Sequence, residues 1–315
     1  MKQITLKVIK ILTLTIVCLS VLTVLLFGYN DIPLEELKRK YTNDSSKFTS
    51  VNNMNVHYRD EGLRNDSIPI ILIHGTGSSL HTFDNWSSKL SKTKRVVRMD
   101  LPGYGLTGPF LNRNYSKNNY VSFIKSFLDT LKIKKCILAG NSLGGNIAWL
   151  FTTKFPSKVK KLILIDASGY PNKSKDIPIA FKLAQIPIIN NAFTYITPRF
   201  IAKKSVENVY ADKSKVNAEL VNRYFELTLR KGNRQAFVDR LAIEPDPNQY
   251  KKIKIIKQPV LILWGEEDML TPVEMANRFN KDLNNSTLNI LKSVGHVPME
   301  ESPDKSLDYV LKFLK

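Results

Sequence analysis

Cys136-Ile137-Leu138-Ala139-Gly140-Asn141-Ser142-Leu143-Gly144 is the stretch whose reading decides the fold. The apolar run Cys136–Ala139 reads as a buried strand. It is followed at once by Gly-x-Ser-x-Gly and then by a helical segment, so the pattern stands where a strand turns sharply into a helix. Glycines are needed because so tight a turn leaves no room for Cβ atoms beside a strained serine. The hydroxyl then sits at a helix N-terminus, whose partial positive charge favours a developing anion. The bare five-residue pattern is a weak signal, and a glycine-rich turn that only packs strand on helix is the alternative. The placement between strand and helix argues for the nucleophile.

Working outward, a serine hydroxyl needs a base within hydrogen-bond reach. The chain has only His57, His74, His81 and His296. On a strand–turn–helix elbow the partners follow in the order serine, acid, histidine, and His296 alone follows Ser142. It stands in Ser293-Val294-Gly295-His296, just past the last expected strand. For the acid, Asp268 follows the apolar run Val260–Trp264 through Gly265-Glu266-Glu267. Asp166 ends the preceding strand and competes, because either loop could reach the histidine. Asp268 is the preferred reading, with the role of fixing the imidazole tautomer and stabilising the imidazolium. An oxyanion hole needs two backbone N–H groups. One is expected from Leu143 and the other from Thr76 in His74-Gly75-Thr76-Gly77, with Gly77 as second choice and His74 itself structural.

From Phe48 onward, short apolar runs alternate with helix-period segments, the pattern of a mostly parallel sheet covered by helices. Strands are expected at Asn55–Arg59, Ile70–His74, Val96–Asp100, Cys136–Ala139, Leu162–Ile165, Val260–Trp264 and Thr287–Leu291. Ser116 caps a helix whose apolar face is Tyr120, Ile124, Phe127 and Leu131. Between Gly169 and about Tyr250 the alternation stops and only helical patterns remain, the mark of an inserted cap. The expected fold is therefore α/β, with core residues 48–168 and 251–315 and a helical cap over 169–250. Phe181, Leu183, Ile186, Ile188, Ile189 and Phe193 either line an apolar substrate pocket or pack the cap onto the core.

His74-Gly75, Asp100-Leu101-Pro102-Gly103-Tyr104-Gly105, Gly140-Asn141-Ser142-Leu143-Gly144-Gly145, Gly265-x-x-Asp268 and Gly295-His296 stand in one order over roughly residues 48–315. Together they resemble the α/β-hydrolase superfamily. The resemblance implies a serine hydrolase working by acyl transfer to water. Asn141 before the serine is similar to hydrolases that cleave carbon–carbon bonds in aromatic ring-fission products. Those enzymes generally carry a tryptophan after the catalytic histidine, where this chain has Val297, and are typically soluble. A carboxylesterase leads, a carbon–carbon hydrolase is second, and a non-enzymatic tethered binding module is third.

The N-terminus adds a membrane reading. Ile11–Phe27 carries no charge and extends through Gly28 to Tyr29, about 28 Å of helix and close to the hydrocarbon thickness. Lys10 can snorkel to the headgroups. A cleavable signal peptide would have a shorter core ending in small residues; Cys18-Leu19-Ser20 falls in mid-run, and no such triplet follows Phe27. Residues 8–29 therefore read as an uncleaved signal anchor and 30–47 as a polar linker. Lys2, Lys7 and Lys10 precede the helix without an acid, which keeps the N-terminus cytoplasmic and the globular part outside. The net charge of +19 is scattered, as on a solvated surface or one facing anionic lipid, and not gathered as a nucleic-acid binder requires. Cys18 and Cys136 offer no disulfide framework, no cluster has metal-ligand spacing, and neither metal nor organic cofactor is expected. The expected partners are a small-molecule ester and the bilayer.

Overall fold

The computed structural model describes residues 2–171, 179–186, 189–192, 194–244 and 246–315. Among these, eight strands form one sheet: β1 (Ser46–Val51), β2 (Met54–Gly62), β3 (Ile70–Ile73), β4 (Arg95–Met99), β5 (Cys136–Asn141), β6 (Val159–Ile165), β7 (Val260–Gly265) and β8 (Ser286–Leu291). Their spatial order is β1-β2-β4-β3-β5-β6-β7-β8. β2 runs antiparallel to both its neighbours, and every pairing from β4 to β8 is parallel. All residues of β3, β5 and β7 are buried, as continuous apolar strands must be when both faces are covered.

The helices are α1 (Lys2–Phe27), α2 (Leu34–Tyr41), α3 (Asp84–Leu90), α4 (Lys117–Thr130) and α5 (Leu143–Lys154), then α6 (Ile179–Ala184), α7 (Ile189–Ala192), α8 (Arg199–Glu207), α9 (Ala218–Thr228) and α10 (Asn233–Leu241). α11 (Val273–Asp282), α12 (Pro298–Glu301) and α13 (Pro303–Leu314) complete the chain. On one face of the sheet, Tyr120, Phe127, Trp149, Phe151 and Phe279 from α4, α5 and α11 meet Ile71 and Ile73. On the other, Trp86, Leu90, Leu307 and Val310 from α3 and α13 meet Ile70 and Leu72. The pleat alternates along β3 to feed both cores. Ser116 caps α4 by accepting from the Asn119 N–H. In the span 169–250 the described elements of regular structure are helices α6–α10 and short 3₁₀ turns.

Two features depart from the sequence reading. β1 was not among the expected strands; it joins β2 through Asn52-Asn53, both at positive φ (50° and 64°), the conformation that two-residue hairpins demand and asparagine tolerates. Residues 30–47, read from their charge as a linker, are folded against the domain. α2 lies among them, and its Leu37 is fully buried with Leu106 and Leu227. Lys40 and Tyr41 reach Glu226 of α9. α1 is long and apolar enough to cross a membrane, and its apolar window is not buried within the protein.

Because Leu37 fills a site shared by α2, the core loop and the cap, Leu37→Ala is expected to cost about 2–4 kcal/mol. Urea denaturation of the detergent-solubilised protein checks this; an unchanged midpoint would mean that α2 contributes no packing.

Candidate active site

Ser142 sits between β5 and α5 at φ 54°, ψ −114°, a conformation that costs an L-residue of order 1–3 kcal/mol. The surrounding backbone holds it there. Its N–H donates to Ile165 O at 3.0 Å, and its carbonyl accepts from Asn146 N and Ser168 N at 3.0 and 3.1 Å. A Cβ on Gly140 would lie 2.3 Å from the Gly144 carbonyl carbon, and one on Gly144 2.2 Å from Ile73 O. Both glycines are therefore close-approach positions, as the elbow reading requires.

His296 and Asp268, the residues expected as base and acid, come from the loops after β8 and β7. His296 Nδ1 lies 2.7 Å from Asp268 Oδ2, both side chains buried. Asp268 also accepts from Leu270 N–H at 2.8 Å, from Thr271 N–H at 3.0 Å, and from the Thr271 hydroxyl. Burial alone would raise the Asp268 pKa, but His296 and the Thr271 donors outweigh it and hold the group below its ordinary value. An ionised carboxylate only accepts, so the His296 nitrogen that faces it, Nδ1, is the donor. Ser142, His296, Thr76, Gly77 and Leu143 all line one cavity of about 670 Å³.

Asp166 is the third acid-site residue. Its carboxylate, that of Asp268 and the His296 imidazole each offer an atom within 4.8 Å of the others. Asp166 Oδ1 accepts from Gly265 N–H at 2.8 Å, while Oδ2 is buried with no hydrogen-bond partner among the described residues. Burial first, and then repulsion from Asp268, pushes its pKa well above the carboxylate range. The two neighbouring acids are thus driven in opposite directions. The Asp268 oxygens already accept from Leu270, Thr271 and His296, which leaves the trio few free lone pairs for a cation.

On the opposite wall, Gly75 is pressed against the nucleophile; a Cβ there would stand 2.9 Å from Asn141 Oδ1 and 3.1 Å from Ser142 Cβ. This brings the Thr76 and Gly77 segment beside the first residue of α5, Leu143, whose N–H is among those a helix leaves unpaired. His74 is buried; its Nε2 accepts from Leu101 N–H at 2.9 Å and its Nδ1 donates to Gly75 O at 2.8 Å. It braces the loop and is structural.

Several contributors were not legible as site residues. Asn141 donates from Nδ2 to His296 O at 2.9 Å and to Ile165 O at 3.2 Å, tying the nucleophile turn to the histidine loop. Glu301 accepts from Gly295 N–H at 2.6 Å and from Asp212 N–H at 2.7 Å. Val209 O accepts from His296 N–H at 2.8 Å. Thr271 acts through Asp268. Each works across long sequence separation or through one hydroxyl, so no local pattern announces it. In the cap, Phe181 lines the cavity, joined by Ile201, Val206, Val209, Phe237 and Leu241. Ile186 is 42% exposed and is not among the lining residues. Ile188 and Phe193, and the side chains of Leu183 and Ile189, lie outside the described residues.

A second row of the same residue types lies elsewhere. His57 Nδ1 is 2.7 Å from Asp100 Oδ2, and His57 Nε2 is 3.1 Å from Ser46 Oγ. Ser46 Oγ, however, accepts from Asn43 N–H and from Arg59 Nε, both at 3.2 Å, so its lone pairs are engaged. It stands in β1, where neighbouring N–H groups serve the sheet. Asp100 accepts from Leu80 and Leu106 N–H, both at 2.8 Å. That row fastens loops.

Among known proteins, a 2-hydroxy-6-oxononadienedioate/2-hydroxy-6-oxononatrienedioate hydrolase of Burkholderia vietnamiensis is 28% identical over 90% of this chain and 98% of its own. The structure of a meta-cleavage product hydrolase from Pseudomonas fluorescens superposes with a TM-score of 0.72 at 25% identity, over 85% of this chain and 97% of that one. A membrane phospholipase A described as a bacterial virulence factor gives a TM-score of 0.73 at 23% identity, over 100% and 98%; at that identity the likeness is one of fold. The sequence profile described as alpha/beta hydrolase fold matches residues 68–303. With that match spanning the elbow, the Asp268 loop and the His296 loop, the chain belongs to the α/β-hydrolase fold family.

Proposed function

We propose that the protein is a membrane-anchored serine hydrolase that cleaves a carboxylic ester, with Ser142 as nucleophile, His296 as base and Asp268 as acid. The observation that carries this reading is that His296, paired to the buried Asp268, lines the same cavity as a serine held at positive φ. Ser142 Oγ bonds to the ester carbonyl carbon while His296 Nε2 takes its proton, and the Leu143 and Thr76 N–H groups bind the oxyanion. Collapse of the tetrahedral species breaks the carbon–oxygen bond, and His296 returns the proton to the leaving alcohol. Water then repeats the sequence on the acyl-enzyme and releases the acid. These steps require neither metal nor organic cofactor. α1 is the anchor, and the lysines before it favour a cytoplasmic N-terminus with the catalytic domain outside.

A second reading is favoured by the hydrolases of ring-fission products among the relatives: cleavage of a carbon–carbon bond next to a carbonyl, with the same three residues. Turnover of a short p-nitrophenyl ester that vanishes in Ser142→Ala supports the ester reading. Labelling of Ser142 by a fluorophosphonate with no turnover of any ester tried would favour carbon–carbon cleavage, and no labelling at all would leave only a binding role.

The acid pair yields opposed expectations. Asp268→Asn should lower kcat/KM by about 10³–10⁴, since the imidazole loses its orientation. Asp166→Asn leaves Asp268 and all its donors in place and should stay within about tenfold of wild type. Asp166 keeps its proton in the native state after the unfolded chain has released it, so above roughly pH 4 rising pH disfavours the native state. Asp166→Asn should therefore gain more stability over wild type at pH 8 than at pH 5, read from urea midpoints. Thr271→Val should cost about tenfold in kcat/KM by removing a donor to a carboxylate, while Thr271→Ser restores most of it; equal losses in both would deny the hydroxyl a role.

A further inference from the structure

The end of the membrane helix is bonded to the cap. Thr197 N–H donates to Phe27 O at 2.9 Å, Tyr29 N–H to Tyr195 O at 3.1 Å, and Ile32 N–H to Leu229 O at 2.9 Å. Arg234, only 5% exposed, reaches Asp31 Oδ1 at 2.8 Å and Tyr195 O at 3.2 Å. The Phe27 ring meets Phe200 edge-on at 5.8 Å, and Tyr29 meets Phe225 at 4.9 Å. The point where α1 leaves the hydrocarbon is thereby fixed against the start of α8.

α8 has two faces. Ile201, Ala202, Ser205 and Val206 line the cavity that holds Ser142. On the outer side Phe200 is 61% exposed, and Lys203 and Lys204 are exposed beyond it. Tyr195, 73% exposed, projects beside the same junction. In water, two large aromatic side chains left open at one junction are a cost. At the depth where a spanning helix emerges they are favoured, because aromatic rings settle at the headgroup level and lysines attract anionic lipid. One short helix thus separates that surface from the cavity.

We propose that the cap face bearing Tyr195, Phe200 and the outer side of α8 rests in the lipid headgroup layer, and that the cavity behind it takes an ester resident in the bilayer. The acyl chain passes along α8 into the apolar wall of Ile201, Val206, Val209 and Phe237. This rests on the anchored serine-hydrolase reading and adds to it the substrate class and its route. The cavity volume, about 670 Å³, lies mid-range for sites that enclose a ligand of several hundred daltons.

The test uses the full-length protein reconstituted in phosphatidylcholine–phosphatidylglycerol vesicles, with p-nitrophenyl palmitate dissolved in the vesicles and p-nitrophenyl butyrate in the water. The double substitution Tyr195→Ser, Phe200→Ser should lower turnover of the embedded ester at least tenfold and leave butyrate within twofold. Loss of both in parallel, or of neither, overturns the inference while the hydrolase reading stands. Cleavage of butyrate but not of palmitate by wild type does the same. If wild type cleaves neither ester, the ester reading of the site fails, and the surface is judged without catalysis. For that, a fluorophore on Tyr195→Cys in a Cys18→Ser background should be quenched by headgroup-depth nitroxide lipids. An unquenched probe, or protein that does not float with the vesicles, overturns the placement.

Discussion

A serine kept at φ 54° survives only where the chain on every side leaves it nowhere else to go, and that steric closure organises the rest of the molecule. Gly140 and Gly144 bring β5, α5 and the end of β3 to a separation that a single methyl group would prevent. Ile165 and Ser168 grip the Ser142 amide and carbonyl from β6 and its following loop. The strain is borne by a parallel sheet buried on both faces, where backbone groups are already paired and cannot relax. The Ser142 backbone is thereby fixed in space, as positioning a reactive group demands.

Around that fixed point, proton placement is set by how neighbouring carboxyls are solvated. Asp268 collects four donors, which hold its pKa down, while Asp166, a few ångströms away, accepts from Gly265 N–H, and burial pushes its pKa up. Ser46–His57–Asp100 makes the complementary point. It repeats the distances of a triad, yet its hydroxyl is saturated with donors and stands on a regular strand. Distances among three side chains do not make a nucleophile; unoccupied lone pairs and free N–H groups for the product of attack are also required.

Much of this was legible in the sequence where a local pattern carried it. The strand–turn–helix elbow, the loops of Asp268 and His296, and the apolar runs of the parallel strands are short-range signals with a direct steric or burial cause. β1 escaped because an antiparallel edge strand of mixed polarity, Ser46–Val51, has no apolar run; its identity comes from pairing with β2. α2 escaped because a helix that buries one leucine among charges looks like a tether. Asn141, Thr271 and Glu301 were legible as residues but not as parts of the site, since each acts on a partner supplied by the folded topology.

The two oxygens of Glu301 bind backbone N–H groups on opposite sides of a boundary, Gly295 in the histidine loop and Asp212 in the cap, and Val209 O holds the His296 amide just beside it. A Cβ on Gly295 would lie 2.6 Å from Val209 O, so the two segments are in direct backbone contact. This edge behaves like the jamb of a door. Any displacement of residues 209–212 that began here would pull on the histidine loop as well, so along this margin the helical insertion and His296 move as one piece.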